Sequence, residues 1–217
     1  MKTATSVKID LQEDIDLKGD LTIPSGATGI VLFAHGSGSS RYSERNRYVA
    51  RELYKENLGT LLLDLLTEKE ERFDSNTGHL RFDIDFLAER LICAASFLKN
   101  GPETSHLNIG IFGASTGGGA ALVCAAKKPD WIKAAVSRGG RPDLALQWLP
   151  LVQAPTLLIV GGNDPAVSHL NEDAYQKLKC EKRFEIVKGA GHLFEERGTM
   201  EQVGALARFW FQKKLKS

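Results

Sequence analysis

Short, continuously apolar runs recur along this chain, and longer segments of helical periodicity separate most of them. The runs are Ile30-Val31-Leu32-Phe33-Ala34, Thr60–Leu63, Ile109–Phe112, Ala134–Val136 and Thr156–Val160. A strand buried on both faces reads as an unbroken apolar run, because neither side of the pleat meets water. Between the runs, residues 43–56 place Tyr48, Val49, Leu53 and Tyr54 on one helical face, and residues 83–99 do the same with Ile84, Leu87, Leu91 and Phe97. Residues 116–127 are small and apolar, and residues 200–215 carry Val203, Leu206, Phe209 and Trp210 at helical spacing. Such alternation predicts an α/β fold with a mainly parallel central sheet and helices on both faces. Residues 4–10 and 16–23 instead alternate apolar and polar positions, which predicts an antiparallel start at one sheet edge. The more polar run Arg183–Val187 is expected near the opposite edge.

The chain has 217 residues, no internal repeat and no Pro/Gly/Ser-rich linker, so residues 1–217 read as a single domain. Its 28 basic residues nearly cancel its 27 acidic ones. That balance argues against a surface built for nucleic acid or membrane. The three cysteines (Cys93, Cys124, Cys180) are far apart and form no CxxC, so neither a disulfide framework nor a zinc cluster is expected, and a reducing cytoplasmic location is. The start, MKTATSVKID, has no apolar core of the secretory kind, and the end, KKLKS, has no lipidation box.

In sheets of this kind, ligands bind at the carboxyl ends of the strands. Chemistry is therefore sought just after each apolar run. The strongest signal is Gly113-Ala114-Ser115-Thr116-Gly117, a GxSxG between an apolar strand and a small-residue helix. A nucleophilic serine needs a tight strand-to-helix turn, and that turn demands small neighbours two residues either side. Asp164 follows the run ending at Val160, where a carboxylate can hold a histidine in one tautomer. His192, within Gly189-Ala190-Gly191-His192, follows the last strand-like run. Each of the two has an ordinary alternative, a turn aspartate and a loop histidine. The chain order Ser115, Asp164, His192 is the order of α/β-hydrolases. The loop after the first buried strand, His35-Gly36-Ser37-Gly38, is expected to supply one backbone amide of an oxyanion hole, from Ser37, with Thr116 supplying the other. A phosphate-binding reading of that loop fails, because Arg41 stands where GxGxxG needs its third glycine and no GxxxxGK[ST] occurs. Arg41 and Arg138 also follow strand ends. Either is a candidate for a substrate carboxylate or phosphate, against the plainer role of a solvated or ion-paired arginine.

Taken together, FAHGSGSSR, LLLDLLT, GIFGASTGGGAAL, VSRGGRPDLA, PTLLIVGGNDPAV and GAGHLFEE resemble the α/β-hydrolase superfamily, and within it the dienelactone-hydrolase-like branch of small serine hydrolases. The resemblance runs from about Ile30 to about Phe211. It implies the α/β-hydrolase fold with no large cap, Ser115 as nucleophile, His192 as general base and Asp164 as its partner, with no metal and no cofactor. The best-known dienelactone hydrolases carry a cysteine where this chain has Ser115, so the branch carries over and the dienelactone substrate does not. In some bacteria similar domains accompany phosphoribosyltransferase domains; nothing in this sequence shows such a fusion. Between Val136 and Thr156 there is no room for a lid, whereas the charged segment Leu66–Arg81 is long enough to cover part of the mouth. The expected activity is hydrolysis of small carboxylic esters, with lactones and thioesters as related bonds, by a monomer or homodimer acting on small molecules. The alternative is a non-catalytic ligand-binding or interaction domain on the same scaffold.

Overall fold

The computed structural model describes residues 3–11 and 15–216. The expectations about the extreme ends of the chain rest partly on residues 1, 2 and 217, which lie outside the described residues. Eight strands form one sheet in the order β1-β2-β4-β3-β5-β6-β7-β8. Strands β1 (Thr5–Asp10) and β2 (Asp16–Thr22) pair antiparallel at one edge, and β2 also runs antiparallel to β4 (Leu58–Leu63). Strands β3 (Gly29–Ala34), β5 (Ile109–Ala114), β6 (Ile132–Arg138), β7 (Thr156–Gly161) and β8 (Lys182–Val187) continue the sheet in parallel from β4. The half-exposed β8 closes the far edge, in line with its polar sequence.

The apolar runs are continuous because the sheet is covered on both faces. Ile30, Leu32, Ile111 and Leu158 point to one side, where α4 (Ile84–Asn100) and α5 (Thr116–Lys127) pack. Val31, Phe33, Phe112 and Ile159 point to the other, against α1 (Glu44–Tyr54) and α7 (Thr199–Leu215). Phe33 and Phe112 meet there with ring centroids 5.1 Å apart. Burying each side chain of this size is worth roughly 1.5–3 kcal/mol. The two layers therefore fix the strand ends on which the site is built.

Three helices differ from the sequence expectation. Helix α6 (Pro165–Lys177) lies between β7 and β8, where no helical face was read. It buries only Val167, Asn171 and Ala174, too narrow a stripe to stand out as periodicity. The charged segment after β4 folds as α2 (Glu68–Thr77), followed by the single turn α3 (His79–Phe82). Thr67 and Glu70 cap α2 reciprocally, side chain to backbone in both directions. Between β6 and β7 the chain makes only two short 3-10 turns, at Pro142–Ala145 and Leu149–Leu151, and no cap. Among the described residues, no helix is long and apolar enough to cross a membrane.

Candidate active site

Ser115 stands between β5 and α5 with φ 51° and ψ −123°. A non-glycine residue at positive φ is strained by about 1–3 kcal/mol and persists only where its surroundings enforce it. Here they do. A Cβ on Gly113 would sit 2.2 Å from the Gly117 carbonyl oxygen, and one on Gly117 would sit 2.4 Å from the carbonyl oxygen of His35. Only glycine lets the turn close so tightly, which is the physical content of the GxSxG pattern. The backbone of Ser115 is anchored on both sides. Its N–H donates to the Arg138 carbonyl (3.2 Å), and its own carbonyl accepts from Gly118 (2.9 Å) and Arg141 (3.0 Å).

Asp164 and His192 lie 28 residues apart in sequence, and the fold brings them together. The His192 Nδ1–H donates to Asp164 Oδ2 at 2.7 Å. That bond leaves Nε2 as the bare, basic nitrogen. The other carboxylate oxygen, Oδ1, accepts from the Val167 N–H at 3.5 Å, and Asp164 is the N-cap of α6. One carboxylate thus starts a helix and orients an imidazole. The ring of His192 rests over Gly139, where an added Cβ would be 3.5 Å from its Cε1. Ser115 is bonded to the carbonyl of Arg138, the preceding residue, so serine and histidine both border the Arg138–Gly139 peptide.

On the other side of Ser115, the loop after β3 passes close by. A Cβ on Gly36 would lie 3.0 Å from the Cβ of Ser115. The Ser37 N–H, expected to face an oxyanion, donates here to Thr116 Oγ1 at 3.0 Å. The neighbouring His35, to which the sequence assigns no role of its own, holds this loop. Its Nε2 accepts from the Leu65 N–H (3.0 Å), so the ring proton is on Nδ1, which donates to the Gly36 carbonyl (2.8 Å). That carbonyl belongs to the peptide that also carries the Ser37 N–H, so the histidine sets the direction of the amide. Burial lowers the His35 pKa below its ordinary 6.5, against the raising effect of the Gly36 bond and of Asp64 and Glu71. The ring is neutral. No short motif beyond the His-Gly pair marks this role.

A cleft opens beside Ser37 and Thr116, lined also by Leu65, Leu66 and Leu87. Helix α2 and the turn after it supply Glu71, Asp74 and Arg81 to one wall of this cleft. There the buried Asp74 takes Nε of Arg81 (2.5 Å) and the N–H of Leu80 (2.7 Å).

The two candidate arginines part company. Arg41 is held by Asp64, through its side chain and through its N–H (2.7 Å), and reaches Asp20 at 3.4 Å. Its charge is already matched in an ion-pair network. Arg138, at the end of β6, is buried, and its guanidinium lies 5.5 Å from the Phe194 ring centroid. Of the cysteines, Cys124 is sealed within α5 and its thiol is pushed up to about 12 by burial, which suits packing and not nucleophilic attack. Among the described residues no group of three or more His, Cys, Asp or Glu could hold a metal ion.

Comparison with known proteins bears on the fold and the family. A crystal structure of a dienelactone hydrolase from Anabaena variabilis superposes with a TM-score of 0.95 at 58% identity, over 98% of both chains. Est1E from Butyrivibrio proteoclasticus shares the fold at 15% identity, with a TM-score of 0.81 over 98% of each chain. A Mycobacterium tuberculosis protein that carries the name phosphoribosyl transferase is 53% identical over 197 residues, which are 91% of this chain and 44% of that protein. The chain thus spans less than half the length of that curated relative. The dienelactone hydrolase family profile matches residues 49–213. On these matches and this architecture, the chain has the α/β-hydrolase fold and belongs to the dienelactone hydrolase family.

Proposed function

We propose that this chain cleaves small carboxylic esters through an acyl-enzyme formed on Ser115. The observation that carries the reading is the strained Ser115 turn beside a His192–Asp164 pair, on the ends of three strands of one sheet. In the first step Ser115 Oγ attacks the ester carbonyl and His192 Nε2 takes its proton. Asp164 keeps the imidazole in the reactive tautomer and stabilises its charged form. The carbonyl oxygen becomes an oxyanion, met by the Ser37 and Thr116 amides. Thr116 is the first residue of α5, whose N–H has no intrahelical partner. In the free protein the Thr116 hydroxyl occupies the Ser37 donor, and the oxyanion would replace it there. The imidazolium then protonates the departing alcohol, and water repeats the sequence on the acyl-serine.

Thioesters and lactones are open to the same chemistry. The transferase name belongs to a relative of which this chain matches 44%, and the esterase reading concerns only the shared stretch. A fluorophosphonate probe tests the proposal, together with p-nitrophenyl acetate hydrolysis. Wild-type protein should be labelled on Ser115 and should turn over the ester; folded Ser115→Ala should do neither. An unlabelled wild type would favour a non-catalytic binding domain, and full activity in Ser115→Ala would mean a different nucleophile.

A further inference from the structure

Asn171 is out of keeping with its surroundings. It lies on the buried stripe of α6 between Val167 and Ala174, it is fully buried, and its Oδ1 has no hydrogen-bond partner among the described residues. An unpaired buried carbonyl costs free energy that an apolar side chain there would not. What the amide does supply is its donor. Nδ2 donates to two carbonyl oxygens, that of Val167 (2.8 Å) one turn back in the same helix and that of Gly140 (3.0 Å) in the loop after β6. The reverse orientation of the amide would set oxygen against both, so the donor is fixed where it is.

The Gly140 carbonyl belongs to the peptide whose N–H, on Arg141, donates to the Ser115 carbonyl at 3.0 Å. A trans peptide points its C=O and N–H in opposite directions, so a line of hydrogen bonds runs from α6 through this loop to the nucleophile turn. In a buried setting the bonds of such a line polarise one another. The loop is confined in other ways too. The Gly139 N–H donates to the Ile159 carbonyl (2.7 Å), and a Cβ on Gly118 would lie 2.9 Å from the Cα of Gly140. The same helix starts at Asp164, seven residues before Asn171, and residues at that spacing lie on one side of a helix. Helix α6 therefore holds His192 through its cap and the Ser115 turn through Asn171.

We propose that Asn171 is a positioning residue: by holding the Gly140–Arg141 peptide, it fixes the Ser115 turn in place relative to the His192–Asp164 pair. The inference rests on the esterase reading above and adds to it a side chain that touches neither substrate nor the reacting atoms. Substrate binding does not use this bond, but the alignment of Ser115 Oγ with His192 Nε2 does. A small misplacement of one reacting group slows the chemical step strongly, so the loss of Asn171 should be read in kcat and not in KM.

Asn171→Leu tests this, since it keeps the branched shape of the side chain and removes the donor. Steady-state hydrolysis of p-nitrophenyl acetate is compared in wild-type protein, Asn171→Leu and Asn171→Gln. Asn171→Leu should lose about ten- to a hundredfold in kcat with KM little changed. Asn171→Gln, which keeps the amide on a longer stem, should recover part of that loss. Amide hydrogen exchange gives a second readout that needs no turnover. The Arg141 amide should exchange about tenfold faster in Asn171→Leu, while the amides of α4 keep their wild-type rates. If Asn171→Leu does not fold, Asn171→Ala, which adds no bulk, carries the same expectations. Unchanged kcat in the folded variant would make Asn171 a brace of α6 alone and overturn the proposal, and so would an unchanged Arg141 exchange rate. If wild-type protein neither cleaves the ester nor takes a fluorophosphonate label, the esterase reading fails, and exchange at Arg141 alone decides whether Asn171 holds the Ser115 turn. If wild-type protein is active and the variant matches it in both readouts, the esterase reading stands and the positioning role fails alone.

Discussion

The two flanks of Ser115 are built on opposite principles. On one flank, Asp164 and His192 form a polar pair partly open to solvent, with 38% of the imidazole side chain exposed, held by a carboxylate that is also a helix cap. On the other, the Gly36–Ser37 peptide is held by His35, a buried neutral ring satisfied at both nitrogens by backbone. In the proposed mechanism the first flank changes its charge during turnover. The second must keep its geometry while charge develops next to it. Ionisable groups serve the first task, and fixed neutral dipoles serve the second, because they need no reorganisation when the oxyanion appears. Two histidines at two strand ends thus have opposite duties.

Substitutions should separate the flanks. The largest effect is expected on the charged side: Asp164→Asn should lower kcat by about 10⁴-fold, because the imidazole loses the partner that selects its tautomer. The amide oxygen can still cap α6, so the melting temperature should move little. A large loss of stability, measured by thermal unfolding, would mean that the carboxylate matters to the fold more than to the base. Next comes Ser37→Pro, which deletes the candidate oxyanion donor. It should cost about 10²–10³ in kcat with a smaller change in KM, measured in steady state on p-nitrophenyl acetate. Unaltered kcat would remove Ser37 from the hole.

The smallest catalytic effect, and the clearest effect on stability, is expected from His35→Leu. The change leaves the Leu65 N–H and the Gly36 carbonyl without partners, for a loss of roughly 2–4 kcal/mol in denaturant unfolding. The sign of the pH dependence follows from the depressed pKa of His35. Below its ordinary 6.5 the unfolded chain binds a proton that the native ring resists, so this contribution is complete above about 6.5 and is lost as pH falls through the folded value. His35→Leu should flatten that part of the stability profile. It should leave the dependence of activity on pH as it is in the wild type. If both profiles changed together, the two flanks would not be independent.

Much of this arrangement was legible beforehand, for reasons that differ by residue. The buried strands announced themselves because a sheet covered on both faces leaves no polar position to interrupt them. Ser115 was readable because its turn tolerates glycine alone at two neighbouring sites. Helix α6 was not, since a helix that buries three side chains leaves little periodicity, and Asp164-Pro165 reads equally as a turn or as a cap followed by Pro at the first helical position. Helix α2 did carry a signal in Thr67 and Glu70, but its many charges drew the reading to a charged cover without a secondary structure. Arg41 and Arg138 looked equivalent because both follow strand ends. What separates them is the company each keeps: Asp20 and Asp64 converge on the first from distant parts of the chain, and such convergence has no local trace in sequence.

The shared duty of the Asp164 carboxylate reaches beyond catalysis. A position that serves only one purpose can drift when that purpose is relaxed, but here a screen for folding and a screen for turnover would both penalise most replacements. Asparagine would slip through the first and be caught by the second. The start of helix α6 is therefore tied, through one side chain, to the orientation of the His192 ring.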